Sequence, residues 1–195
     1  MARFLVLFGT GEGQTRTVAE RIEATLTARG HDVETVDVDE RPAFDVETFD
    51  AVLIGSSIHV GKHHAGIDEF VGTNREALNA RPTAFFQVSL SSAVDDPERR
   101  AEAARYVDDL LEESDWRPDR IGLFGGALRY SKYGFLKRLL LKRIARDATG
   151  DVDTSRDYEY TDWTEVEAFA EDFAAFVEGR LGTDDPPAHE TGRTE

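Results

Sequence analysis

Apolar residues along this chain gather in five short runs, separated by stretches with helical spacing. Residues 3–8, RFLVLF, are almost continuously apolar, as expected of a strand buried on both faces of a parallel sheet. After the turn GTGEGQ, Val18, Ile22 and Leu26 fall at four-residue steps within 15–29, and Gly30 supplies a helix stop. DVETVDV (32–38) alternates like a strand with one wet face, which suits a sheet edge. DAVLIGSSI (50–58) is a second buried strand leading into a small-residue turn. Residues 66–80 predict a helix carrying Ile67, Phe70, Val71 and Leu78, and TAFFQVSL (83–90) predicts a strand. Pro97, at the favoured first-turn position, opens a helix to about Glu113. RIGLFGGAL (120–128) reads as a fifth strand. A last helix runs from Trp163 to about Leu181, with Val166, Phe169, Phe173, Phe176 and Val177 on one side.

Strands alternating with helices imply right-handed crossovers and an α/β fold with a doubly wound parallel sheet. Five strands suit the order 2-1-3-4-5, which places a ligand at the switch point between strands one and three. No internal repeat or composition shift marks a domain boundary, so 1–181 reads as one domain. Residues 129–157 form an insertion between strand five and the last helix. The segment 182–195, GTDDPPAHETGRTE, lacks apolar content and reads as a disordered acidic tail.

Composition narrows the possibilities. The 195 residues suffice for one well-buried core. With no cysteine, disulfides, thiolate metal sites and cysteine nucleophiles are excluded, and a reducing cytoplasm is the fitting compartment. The N-terminal apolar run is too short for a secretory signal, and no run approaches the roughly 18 residues of a membrane span. The protein is therefore expected to be soluble or peripheral.

A formal net charge of -16 implies a strongly solvated surface, suited to a salt-rich cytoplasm, and disfavours nucleic acid as a partner. One stretch departs from this acidity. Between Arg129 and Arg146 lie seven basic residues and no acidic one. On a helical wheel Arg138, Lys142 and Arg146 form one line, and Leu136, Leu140 and Ile144 another, flanked by Lys137 and Arg143. That is the pattern of a basic amphipathic helix for a membrane interface. The alternative is a helix that lays its leucines on the sheet and pairs its cations with acidic neighbours.

The candidate chemistry begins at the first turn. Thr10, Gly11, Gly13 and Thr15, between a strand end and a helix start, direct backbone N–H groups and hydroxyls at one point, as a phosphate monoester requires. The turn is neither a P-loop nor a GxGxxG dinucleotide fingerprint. Glu12 suits a dianion poorly and is expected to point outward. A phospho-acceptor receiver domain, which shares this topology, would need carboxylates after strand one and at the end of strand three. Here strand three ends in LIGSSI.

These residues carry a resemblance. Val6, Leu7, Phe8, Thr10, Gly13, Thr15, Ala19 and Ile22 match the flavodoxin signature throughout. The resemblance implies a flavodoxin-like fold and FMN as cofactor, its phosphate held by Thr10, Gly11, Glu12, Gly13, Gln14 and Thr15. It also implies a flavin ring between two further loops. One is Ser57, Ile58, His59, Val60 and Gly61 after strand three; the other is Ser89, Leu90 and Ser91 after strand four. The latter lacks the paired aromatics of small electron carriers, which suggests a ring face open to substrate. His59, His63 and His64 invite a metal, but Gly61 interrupts any shared helical face and no acidic residue completes the set, so no metal site is expected.

Five further segments narrow the resemblance: EGQTR (12–16), IGSSIHVGKHHAGIDEFV (54–71), WRPDR (116–120), GGALRYSKY (125–133) and YTDW (160–163). Together the chain resembles the HemG-type family of menaquinone-dependent protoporphyrinogen IX dehydrogenases. That resemblance implies oxidation of protoporphyrinogen IX to protoporphyrin IX in haem biosynthesis, through FMN to menaquinone, at the inner face of the cell membrane. Arg129, Lys132, Lys137, Arg138, Lys142, Arg143 and Arg146 then become candidates for meeting substrate propionates or the membrane surface. His59 and Tyr130 are the candidate catalytic residues. The alternative function is a soluble flavodoxin-type carrier that docks a redox partner through the basic insertion.

Overall fold

Strand β1 (Arg3–Gly9) is buried from Phe4 onward and feeds two cores by alternation. Phe4, Val6 and Phe8 point to one face of the sheet, while Leu5 and Leu7 point to the other. The computed structural model describes residues 1–40, 45–93, 96–128 and 158–183. Within them, β1, β2 (Asp32–Asp37), β3 (Ala51–Ser57), β4 (Thr83–Ser89) and β5 (Arg120–Gly125) form one parallel sheet in the order β2-β1-β3-β4-β5. This is the expected doubly wound topology, with β2 at the edge.

Helices cover both faces. On one lie α1 (Gln14–Ala28) and α4 (Trp163–Thr183), which bury Val18, Ile22 and Leu26 with Val166, Phe173 and Val177. On the other lie α2 (Ala65–Asn79) and α3 (Pro97–Ser114), which contribute Ile67, Val71, Val107 and Leu110. Trp116 fills the base of this second core, and its indole N–H donates to Thr83 Oγ1 at 3.1 Å. Asp96 caps α3 through the N–H groups of Glu98 and Arg99, with Pro97 at the first position.

Two expectations change. The run 120–128 is not one strand of the main sheet. Gly126 donates its N–H to Ser89 O as the last rung beside β4, while its carbonyl accepts from Tyr160 N–H. Beyond this pivot, β6 (Ala127–Leu128) pairs antiparallel with β7 (Tyr158–Glu159). Leu128 and Tyr158, which flank the 129–157 segment, are thus paired, and the segment itself, with its expected basic helix, lies outside the described residues. The last helix also runs two residues beyond the expected Leu181, and residues 184–195 lie outside the described residues. No helix among the described residues is long and apolar enough to cross a membrane.

Candidate functional site

The C-terminal ends of β1, β3 and β4 carry three loops that meet at one edge of the sheet. The first runs from Gly9 to Gln14. A Cβ at Gly9 would stand 2.7 Å from the His64 ring, so this close approach requires glycine. Thr10 Oγ1 accepts from Gly13 N–H at 2.9 Å and closes the turn, while Gly13 adopts φ 94 in the left-handed region. Helix α1 then starts with no side-chain cap and no acidic residue in its first turn. Its leading N–H groups are left to an incoming anion, and its dipole favours one. Thr15 Oγ1 is buried with no hydrogen-bond partner among the described residues. A buried hydroxyl is ordinarily satisfied, so its vacancy beside this helix start fits a phosphate oxygen.

Not every loop residue points the same way. The Gln14 side chain is buried and donates to Thr161 Oγ1 at 2.8 Å, and that hydroxyl donates to Gly125 O at 2.7 Å. Its contribution to an anion would come from the backbone N–H. Glu12 is half-buried. Arg16, next in sequence, is held away by an ion pair with Asp37 at 2.7 Å and stacks over Phe8.

The second loop leaves β3 at Ser57, whose Oγ accepts from Gly11 N–H and ties the first two loops together. Ile58 N–H continues to Val88 O. His59 and Lys62 then pair across a two-residue turn with Val60 at φ 51 and Gly61 at φ 74. Tight hairpins demand positive φ at both central positions, and a β-branched residue there is strained. Val60 is 90% exposed, an apolar tip on the second loop. His59 is exposed and its ring makes no hydrogen bond among the described residues.

The two following histidines diverge from it. His63 packs edge-on against Phe85 and donates from Nε2 to Tyr106 O at 2.9 Å, leaving Nδ1 bare and buried. Burial holds its imidazole below the ordinary range, so it stays neutral. His64 takes a bond from its own N–H to Ser56 Oγ and turns its ring towards Asp39, 3.5 Å away. The three rings do not converge, and no cluster of three or more metal-ligating side chains occurs among the described residues.

The third loop is a single turn. Ser89 Oγ contacts Ser92 Oγ at 2.8 Å and accepts from Ser92 N–H, so Leu90 and Ser91 form the outer lip. Ser91 Oγ donates to Glu102 Oε2 on α3 at 3.2 Å. All the expected loop residues are therefore at one edge. Arg129, Tyr130, Lys132, Lys137, Arg138, Lys142, Arg143 and Arg146 lie outside the described residues. Sequence reading missed Glu102 and Tyr106, which reach the loops from α3, and Thr161, which supports Gln14. Thr161 stands in the YTDW segment, but only the fold brings it to the first loop.

Comparison with known proteins agrees with this geometry. Residues 5–155 match the flavodoxin domain family. The chain is 36% identical over 171 residues to the protoporphyrinogen IX dehydrogenase [quinone] of Escherichia coli K12, covering 87% of this chain and 93% of the relative. It is 33% identical to the protein of the same name from Leishmania major, covering 88% and 74%. In fold it is similar to oxidised flavodoxin 1 from Bacillus cereus, with TM-score 0.55, 15% identity and coverage of 91% and 98%. A flavodoxin from the domain Archaea gives TM-score 0.53 and 16% identity, covering 90% and 99%. A signature loop at the start of α1, the 2-1-3-4-5 sheet and near-full-length identity to these dehydrogenases place the chain in the flavodoxin domain family, alongside the quinone-linked protoporphyrinogen IX dehydrogenases.

Proposed function

We propose that this protein oxidises protoporphyrinogen IX to protoporphyrin IX, with FMN as its bound redox group and menaquinone as final acceptor. The carrying observation is the uncapped start of α1, with Thr15 Oγ1 buried and unpartnered, beside two loops of small residues. The substrate and the quinone follow the names of the relatives. In this reading Thr10, Gly11, Gly13, Gln14 and Thr15 hold the phosphate through hydroxyls and backbone N–H groups, with Glu12 at the rim. Ser57 to Gly61 and Ser89 to Ser91 line the ring, and the exposed Val60 tip offers an apolar contact to a large planar substrate.

Bound FMN supplies hydride and electron acceptance that no side chain here can provide. The overall conversion removes six electrons and six protons from the porphyrinogen, and three quinones take them up as three quinols. His59, exposed on the second loop, handles a substrate proton, with Tyr130 as the other candidate. Arg129 and Lys132 meet the propionates. Lys137, Arg138, Lys142, Arg143 and Arg146 bring the protein to the inner membrane surface, where the quinone is dissolved.

The test is an anaerobic assay of porphyrin fluorescence from protoporphyrinogen IX, with and without a menaquinone analogue, on protein isolated with its flavin. A yellow protein with a quinone-dependent rate is expected. Flavin without quinone-dependent turnover would replace this reading with an electron carrier. For the membrane arm, replacing Arg138, Lys142 and Arg146 with Glu is expected to reduce binding to anionic vesicles; unchanged binding would refute that docking role.

A further inference from the structure

The two loops assigned to the flavin ring come from different strands, yet side chains of one helix reach both. Helix α3 is anchored twice. Gln87 of β4 donates from Nε2 to Ala103 O at 3.0 Å in a buried bond. One turn later, His63 donates to Tyr106 O. Beside these anchors, the side chains of Glu102 and Tyr106 stand four residues apart, on one face of the helix.

Their side chains form a continuous bridge. Ser91 Oγ, on the lip of the third loop, donates to Glu102 Oε2 at 3.2 Å. Tyr106 OH donates to the other oxygen, Oε1, at 2.9 Å. The same phenol oxygen lies beneath the second loop, where a Cβ built on Gly61 would be 3.6 Å away. One carboxylate thus engages the third loop on one oxygen, and on the other the phenol that faces Gly61 of the hairpin. Burial and the bond to Glu102 both raise the Tyr106 phenol, which keeps it a neutral donor at working pH. Both residues are only half-buried, and neither belongs to the hydrophobic cores. Beyond each other and Arg99, whose Nη1 is 4.0 Å from Glu102 Oε2, their side chains face the two loops, so their effect falls on the loops.

We propose that Glu102 and Tyr106 are positioning residues that fix the distance between the second and third loops, and so the slot that receives the flavin ring. The inference rests on the FMN reading above. It predicts a defect specific to the ring, separable from any defect at the phosphate.

The experiment titrates the full-length apoprotein with FMN and, in parallel, with riboflavin, which has the ring but no phosphate. Visible circular dichroism of the bound flavin reports the ring's surroundings. Glu102→Ala and Tyr106→Phe are expected to weaken both ligands by the same factor, about threefold to tenfold, as for loss of one or two hydrogen bonds. Both should alter the visible dichroism. The double variant should cost little more than Glu102→Ala alone, because the two act in series. Glu102→Gln keeps an acceptor for the phenol and a donor for Ser91, and is expected to restore affinity to within about twofold. Thr15→Val should weaken FMN while sparing riboflavin. If folded Glu102→Ala and Tyr106→Phe bind both flavins like the parent with unchanged dichroism, the positioning role is refuted while the FMN reading stands. If the parent binds neither flavin, both fall together.

Discussion

Burial pushes the His63 imidazole below its ordinary value of 6.5, and the Tyr106 carbonyl, Asp68 and Asp109 offset that only in part. The folded protein therefore refuses a proton that the unfolded chain accepts. Stability should be full above about pH 6.5 and should fall as pH is lowered beneath it. Glu178 acts in a different window. Its hydrogen bond with Arg29, seconded by His31, holds its carboxyl below the ordinary 4.5, so its contribution persists through mild acid and is lost only below that value. Denaturant unfolding between pH 7.5 and 5.5 should show a decline that His63→Gln removes, because glutamine can still donate to Tyr106 O without titrating. A decline that survives this substitution would assign the acid sensitivity to other groups. None of this was legible locally. The sequence singles out His59 as a candidate and, for His63 and His64, goes no further than setting a metal site aside. The environment of His63 is made by Phe85 and Tyr106, from β4 and α3, which only the packed fold delivers.

At the scale of elements, what a segment does alone was readable and what two distant segments do together was not. Strands buried on both faces announce themselves as apolar runs, so β1, β3 and β4 begin and end within one or two residues of expectation. The turn proposed to hold the phosphate is likewise a local feature: hydroxyls, glycines and a helix start in consecutive positions. RIGLFGGAL misleads because apolar continuity conceals the pivot at Gly126, whose carbonyl partner is Tyr160. The same fold-back brings Thr161 between Gln14 and Gly125, so the first loop, the end of β5 and the entry to α4 share one hydroxyl. Thr161→Val keeps the shape but leaves the buried Gln14 amide without that acceptor. Loss of one such hydrogen bond costs about 0.5–1.5 kcal/mol. Thr161→Ser, which retains the hydroxyl, should lose much less. Equal unfolding midpoints for the valine and serine variants would show that the hydroxyl bridge contributes nothing.

Across the whole molecule the formal charge of -16 sets the response to salt. Several ion pairs bind neighbouring elements: Arg3 with Glu34 at 3.1 Å, Arg21 with Glu167 at 2.6 Å, Arg29 with Glu178 at 2.7 Å and Arg120 with Asp172 at 2.5 Å. All are partly exposed, and such pairs contribute about 0–1 kcal/mol each. The 39 acidic residues exceed the 23 basic ones, so carboxylates outnumber the cations available to neutralise them and repulsion is the larger long-range effect. Raising salt from about 0.1 M to about 1 M shortens the Debye length from roughly 10 Å to roughly 3 Å and suppresses the long-range repulsion more than the close pairs. The thermal midpoint is therefore expected to rise over that range in sodium chloride, a weakly salting-out salt. A rise of the same size after several surface carboxylates unpaired among the described residues, such as Glu20, Glu23 and Asp108, are made amides would attribute it to salting-out. A smaller rise would attribute it to charge. The basic 129–146 stretch runs against the field of the rest of the chain, and the same screening that steadies the fold shortens that stretch's reach towards an anionic surface. On the proposed membrane docking, most of the binding retained at about 1 M salt would have to come from the apolar line Leu136, Leu140 and Ile144.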